Sequence, residues 1–103
     1  MKLKNYFTEE AKQDLKEIRR YTKEQWGDRQ SLKYLDAVER VFDAIAENPE
    51  IGMKREDIRE DLQYFNHGRH VIFYMVLPKK LAIIRILSQR IKQENELQKS
   101  SFP

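Results

Sequence analysis

Hydrophobic and polar residues alternate from the start of the chain. Leu3, Asn5 and Phe7 fall on one side of a period-two pattern and Lys2, Lys4 and Tyr6 on the other, which predicts a short first strand over residues 2 to 7. The rhythm then changes. Thr8 offers a hydroxyl to free backbone N–H groups, and Glu9 and Glu10 lie in a first turn where the helix dipole favours negative charge. Ala11, Leu15, Ile18 and Thr22 recur at three- and four-residue steps, which predicts an amphipathic helix ending at Gly27 with Trp26 in the core. Asp28 is placed to cap a second helix, in which Leu32, Leu35, Val38, Phe42 and Ile45 keep the same period until Asn48-Pro49-Glu50-Ile51-Gly52 stops it. So short a link implies an antiparallel helical hairpin.

Residues 53 to 61 are dominated by charge and read as a connecting loop with at most one helical turn. Beyond them the period returns to two. Leu62-Gln63-Tyr64-Phe65 and Arg69 through Leu77 read as strands joined by a turn containing Gly68, and the second is nearly continuous in apolar residues, as in a strand covered on both faces. Pro78-Lys79-Lys80 supplies the next turn, and Leu81 through Leu87 forms a last strand. The prediction is an α+β fold, β-αα-βββ, with a helical hairpin packed on one face of a small, mostly antiparallel sheet. Strand one lies beside the last strand or at an edge. Residues 1–91 form the domain, and residues 92–103 are a polar C-terminal tail, either a short helix or disordered.

At 103 residues there is room for one core, burying roughly 65% of the surface the unfolded chain exposes. The absence of cysteine removes disulfides and thiolate metal sites and suits the cytoplasm. Neither a signal-peptide h-region nor an apolar run of the roughly 20 residues that span a bilayer is present, so no membrane association is expected. The net charge of +3 is unevenly divided: residues 1 to 61 carry 13 basic and 15 acidic side chains, and residues 62 to 103 carry 7 and 2. A basic C-terminal half fits an anionic partner, either nucleic acid or an acidic protein surface.

Four segments carry a resemblance. Thr8-Glu9-Glu10-Ala11 with Asp14, Leu15, Ile18 and Tyr21 is the first, and Ala46 through Gly52 the second. Gly68-Arg69-His70-Val71-Ile72-Phe73-Tyr74 and Arg85-Ile86-Leu87-Ser88-Gln89-Arg90 complete the set. In order and spacing they resemble ParE-type toxins of the RelE/ParE superfamily, over about residues 3 to 91. The chain departs from many of these toxins at Ser88, where they carry histidine.

The resemblance implies the fold already predicted, cytoplasmic expression, and a toxin of a type II toxin-antitoxin system that inhibits DNA gyrase. It also implies a ParD-type antitoxin whose C-terminal segment wraps the toxin, with a higher-order oligomer of the two as one possible assembly. No catalytic residue, cofactor, metal or sequence-specific nucleic-acid contact of the toxin alone is implied. The alternatives are a ribosome-dependent mRNA endonuclease of the RelE type and an inactive homologue that only binds antitoxin; Ser88 favours the latter.

Metal-free RNA cleavage needs a base, an acid and phosphate-binding cations. Arg69, Arg85 and Arg90 could hold phosphate, and His67, His70 or Tyr74 could move protons, but residues 88 to 97 lack the tyrosine or histidine of the RelE-like end. The candidate toxic surface is therefore one of binding: Arg69, His70, Tyr74, Arg85, Ser88, Arg90 and Lys92. Tyr74 also reads as a packed aromatic. His67 and His70 in H-x-x-H are expected on opposite faces of a strand, which disfavours zinc. Arg85, interrupting an apolar strand, demands either a buried carboxylate or an open sheet face, and the open face is the favoured reading. Tyr21, Leu32 and Leu35 are the candidate antitoxin contacts, in an apolar groove along the hairpin.

Overall fold

The structure is a computed structural model that describes residues 2–103. Its elements follow the predicted order: β1 (Lys4–Phe7), α1 (Glu9–Trp26), α2 (Asp28–Glu47), a 3-10 turn (Pro49–Ile51), β2 (Met53–Lys54), β3 (Gln63–His67), β4 (His70–Leu77), β5 (Lys80–Ser88) and α3 (Gln93–Gln98). The Thr8 hydroxyl accepts from the Ala11 N–H at 3.1 Å and so starts α1. Gly27, at φ +86°, ends α1 and opens α2; at this angle glycine carries no side-chain penalty. Asp28 is the first residue of α2 and makes no capping bond; it pairs instead with Lys23 at 3.4 Å. The helices are tied by a buried hydroxyl pair, Thr22 and Ser31, 2.6 Å apart.

The sheet order is β1-β5-β4-β3-β2, parallel between β1 and β5 and antiparallel elsewhere. The fold class is as predicted, with one strand more. Met53–Lys54 pairs with Gln63 and Tyr64, and with only two residues, both exposed, it carries no period to read. One sheet face, built from Ile72, Tyr74, Leu81, Ile83 and Ile86, packs on Ala11, Ile18, Val38, Phe42, Ile45 and Ala46 of the hairpin. The other face, with Val71, Phe73, Met75, Ala82, Ile84 and Leu87, is closed by Leu62 and by Leu97 of α3, so the C-terminal segment contributes a fully buried side chain. Trp26 does not join the core as expected. It is 46% exposed as the last residue of α1 and leans on the Tyr34 ring of α2 at 6.3 Å.

Local irregularities of β4 and β5 decide which side chains face the hairpin. A register shift opposite Phe73 and Tyr74 leaves Ile84 as the extra residue of β5, and this reverses the alternation so that Ile86 joins the helix-covered face. Gly52 sits so close to β4 that a Cβ would overlap the Tyr74 hydroxyl and stand 2.7 Å from the Tyr64 carbonyl.

Candidate functional site

β1 ends opposite Ile83, so the rest of β5 would present an unpaired edge. Side chains of α1 take over there. The Thr8 hydroxyl donates to the Ile84 carbonyl at 2.7 Å, and the Asp14 carboxylate accepts from the Ile86 N–H at 2.9 Å. Asp14 also accepts two bonds from the Arg85 guanidinium, at 2.7 and 2.9 Å, an in-plane match of fork to carboxylate. Arg85 donates on its other side to the Glu96 carbonyl at 3.3 Å and to Ser100 Oγ at 2.9 Å. Bonding to Asp14 raises its pKa, against the opposing effect of burial.

The open-face reading of Arg85 is therefore corrected. Its side chain is 11% exposed and Asp14's 13%, and the guanidinium joins α1, β5 and α3. Asp14 was missed as the partner, although it stands three residues after Ala11 and four before Ile18, at the margin of the buried helix stripe.

Beyond Asp14, a cleft of about 630 Å³ opens between α1, the N-terminal end of β4 and the C-terminal end of β5. It gathers most of the candidates: Tyr21, Arg69, His70, Arg85, Ser88 and Arg90 all line it, with Ile18, Ile86 and Ile91 as apolar wall. Among the described residues no carboxylate lies within ion-pair distance of Arg69, Arg90 or Lys92. The neighbouring Arg20, by contrast, is engaged by Glu17 at 2.8 Å and Glu24 at 3.2 Å. Ser88 Oγ accepts from the Arg90 N–H at 3.2 Å and fixes the chain as it leaves the strand. Lys92 is exposed and lies outside the lining of the cleft.

His70 meets a residue the sequence reading passed over. The Tyr34 hydroxyl of α2 lies 2.6 Å from His70 Nδ1, and the two share a hydrogen bond whose direction is set by the tautomer of the ring. Burial, and secondarily His67, lowers the His70 pKa, while Asp14 opposes the shift; burial raises that of Tyr34. His67 and His70 are cross-strand partners about the Gly68-Arg69 turn, not neighbours along one strand. Both rings therefore stand on one face against Tyr34, at 5.9 and 5.6 Å, contrary to the opposite-face expectation. Among the described residues no group of three or more His, Cys, Asp or Glu is arranged to hold a metal.

Three other candidates fall elsewhere. Tyr74 is wholly buried, its hydroxyl donating to the Pro49 carbonyl at 2.8 Å and within 3.2 Å of Gln63 Oε1, so it packs β4 against the chain entering β2 and is no part of a surface. Leu35 is half-buried against the core, whereas Leu32 is 54% exposed on α2 and Tyr21 50% exposed in the cleft. The three do not line one groove, because Leu35 belongs to the inward stripe of α2. What the cleft offers is two unpaired guanidinium groups, an apolar wall and strand-edge groups. The carboxylates within it are already bound to arginine.

The chain matches, over residues 6–92, a family model described as ParE toxin of type II toxin-antitoxin system, parDE. It is 33% identical over 87 residues to Toxin ParE1 of Caulobacter vibrioides, spanning 84% of this chain and 90% of that protein. To Toxin ParE1 of Mycobacterium tuberculosis it is 32% identical over 88 residues, with the same two shares. A solved structure described as the chromosomal ParDE TA system from P. aeruginosa has the same fold, with a TM-score of 0.70 at 17% identity, over 84% of this chain and 95% of that one. With most of its length matched by the family model and by relatives a third identical to it, the chain belongs to the ParE toxin family of type II toxin-antitoxin systems.

Proposed function

We propose that this toxin acts in the cytoplasm by binding DNA gyrase through the rim of the cleft, without catalysing a reaction, and that a co-encoded ParD-type antitoxin neutralises it. The observation that carries the reading is the composition of the cleft: Arg69 and Arg90 are unpaired, while Asp14 and Glu17 are occupied by Arg85 and Arg20. General acid-base cleavage requires a second proton-transfer group free to act beside the first. Here the imidazole of His70 is tied to Tyr34, Tyr74 is buried, and His67 packs near Tyr34 outside the lining of the cleft. Binding needs only the cations and the apolar wall.

The experiment is induction of the toxin alone in a bacterial culture, following DNA-damage signalling and protein synthesis together. The reading predicts that the damage response rises first and that co-expressed antitoxin abolishes it. An early arrest of translation with mRNA cut at ribosomes would replace it with the endonuclease reading, which the presence of His70 among arginines favours. Growth unaffected by well-folded toxin would establish an inactive homologue.

A further inference from the structure

We infer that the cleft receives an extended, acidic protein segment, which pairs with the last free stretch of the β5 edge while its carboxylates meet Arg69 and Arg90. The inference rests on the reading of the cleft as the binding surface and names the chemistry of its occupant.

The Ile86 N–H points away from β4, since it is bound by Asp14. In an antiparallel ladder the backbone groups of residues two apart share a direction, so the Ser88 N–H and the Ile86 carbonyl also face the cleft. Among the described residues neither has a protein partner; Ser88's own carbonyl is taken by the Ile91 N–H at 3.4 Å. The free edge is thus one donor and one acceptor wide, bounded by Asp14 below and the turn at Ile91 above. An extended backbone fills such a pair with two hydrogen bonds.

Side chains of an extended segment alternate. One set would meet Ile18, Tyr21 and Ile91, and the other the unpaired Arg69 and Arg90. Charge complementarity therefore calls for acidic residues alternating with apolar ones. Nucleic acid suits the site less well. Tyr21 is the one exposed ring in the lining, His70 being half-buried and tied to Tyr34, and with a nucleic acid the aliphatic wall and neutral strand edge would go unused.

The test uses an array of fluorescein-labelled octapeptides that alternate Glu or Asp with Val, Leu or Tyr. Lys-substituted peptides and a short oligothymidylate serve as comparisons, with purified full-length toxin checked by circular dichroism. Acidic members are expected to bind, to slow amide exchange at Ser88, and to lose about tenfold or more in affinity with Arg69→Ala plus Arg90→Ala. Backbone N-methylation of the peptide should weaken it as well. No acidic peptide binding, binding indifferent to the double substitution, or preference for the oligothymidylate would overturn the inference. Gyrase inhibition is measured on the same preparations. Inhibition without peptide binding defeats the inference and leaves the functional reading standing, and peptide binding without inhibition does the reverse.

Discussion

Replacing Arg85 should unfold much of what it was expected merely to decorate. The Asp14 carboxylate accepts three bonds, two of them from Arg85, with both side chains almost wholly out of solvent. Arg85→Met keeps the aliphatic bulk but leaves that carboxylate facing a low dielectric with only the Ile86 N–H. Removing one partner of such a pair costs about 3 to 5 kcal/mol, because an uncompensated charge stays buried. The lost bonds to Glu96 and Ser100 add about 1 kcal/mol each, against a stability of about 5 to 15 kcal/mol for a domain. Asp14→Asn should cost less, about 2 kcal/mol, since the Arg85 guanidinium it leaves keeps the Glu96 carboxylate at 3.7 Å and its bonds to the Glu96 carbonyl and Ser100. In the double variant no unpaired charge remains, so its cost should fall short of the sum of the single costs by about 2 kcal/mol. Urea unfolding followed by far-ultraviolet circular dichroism measures all four corners of the cycle. Additive costs, or Arg85→Met within about 0.5 kcal/mol of the parent, would refute the claim that this pair joins the two layers.

Gly52→Ala forces a methyl group onto the Tyr74 hydroxyl and should cost about 1 to 3 kcal/mol in urea unfolding; adding Tyr74→Phe should recover part of that loss by vacating the space. The His70 pKa lies below its ordinary 6.5 because the ring is buried, packed by Tyr34 from α2 and His67 from β3 with Asp14 of α1 nearby. Between the lowered and the ordinary value the unfolded chain binds more protons, so stability is full above about pH 6.5 and falls as acid passes through that window. Thermal melts from about pH 7.5 to about pH 5 should show the fall, and His70→Gln should flatten it. Lys79, at φ +64° in the β4–β5 turn, occupies a conformation that favours glycine, so Lys79→Gly should raise stability by about 0.5 to 1 kcal/mol, read as a higher melting temperature.

The elements were legible wherever burial imposed a period. The stripe from Ala11 to Thr22, the run through β4 and the Asn-Pro-x-x-Gly stop each state their structure locally. β2 was not legible, since an exposed two-residue edge strand depends on backbone bonds to β3 and has no side-chain pattern. Of the site, Arg69, His70, Ser88 and Arg90 could be named from the strand ends they occupy. Their grouping with Tyr21 depends on how α1 crosses the sheet, and the partnership of Tyr34 with His70 joins residues 36 positions apart. Arg85 posed a question that the sequence could frame but not answer. The bulge at Ile84 and the early end of β1 together decide which way it turns, and neither leaves a mark in the period of β5.

The central claim is that this toxin inhibits gyrase by binding through Arg69 and Arg90 at the mouth of the cleft. The most direct measurement is the supercoiling of relaxed plasmid by purified gyrase, titrated with the parent toxin and with folded Arg69→Ala plus Arg90→Ala. Inhibition by the parent, with trapped cleaved DNA, and its loss by about tenfold or more in the double variant is the predicted result. Equal inhibition by both proteins, or supercoiling untouched by the parent, would contradict the account.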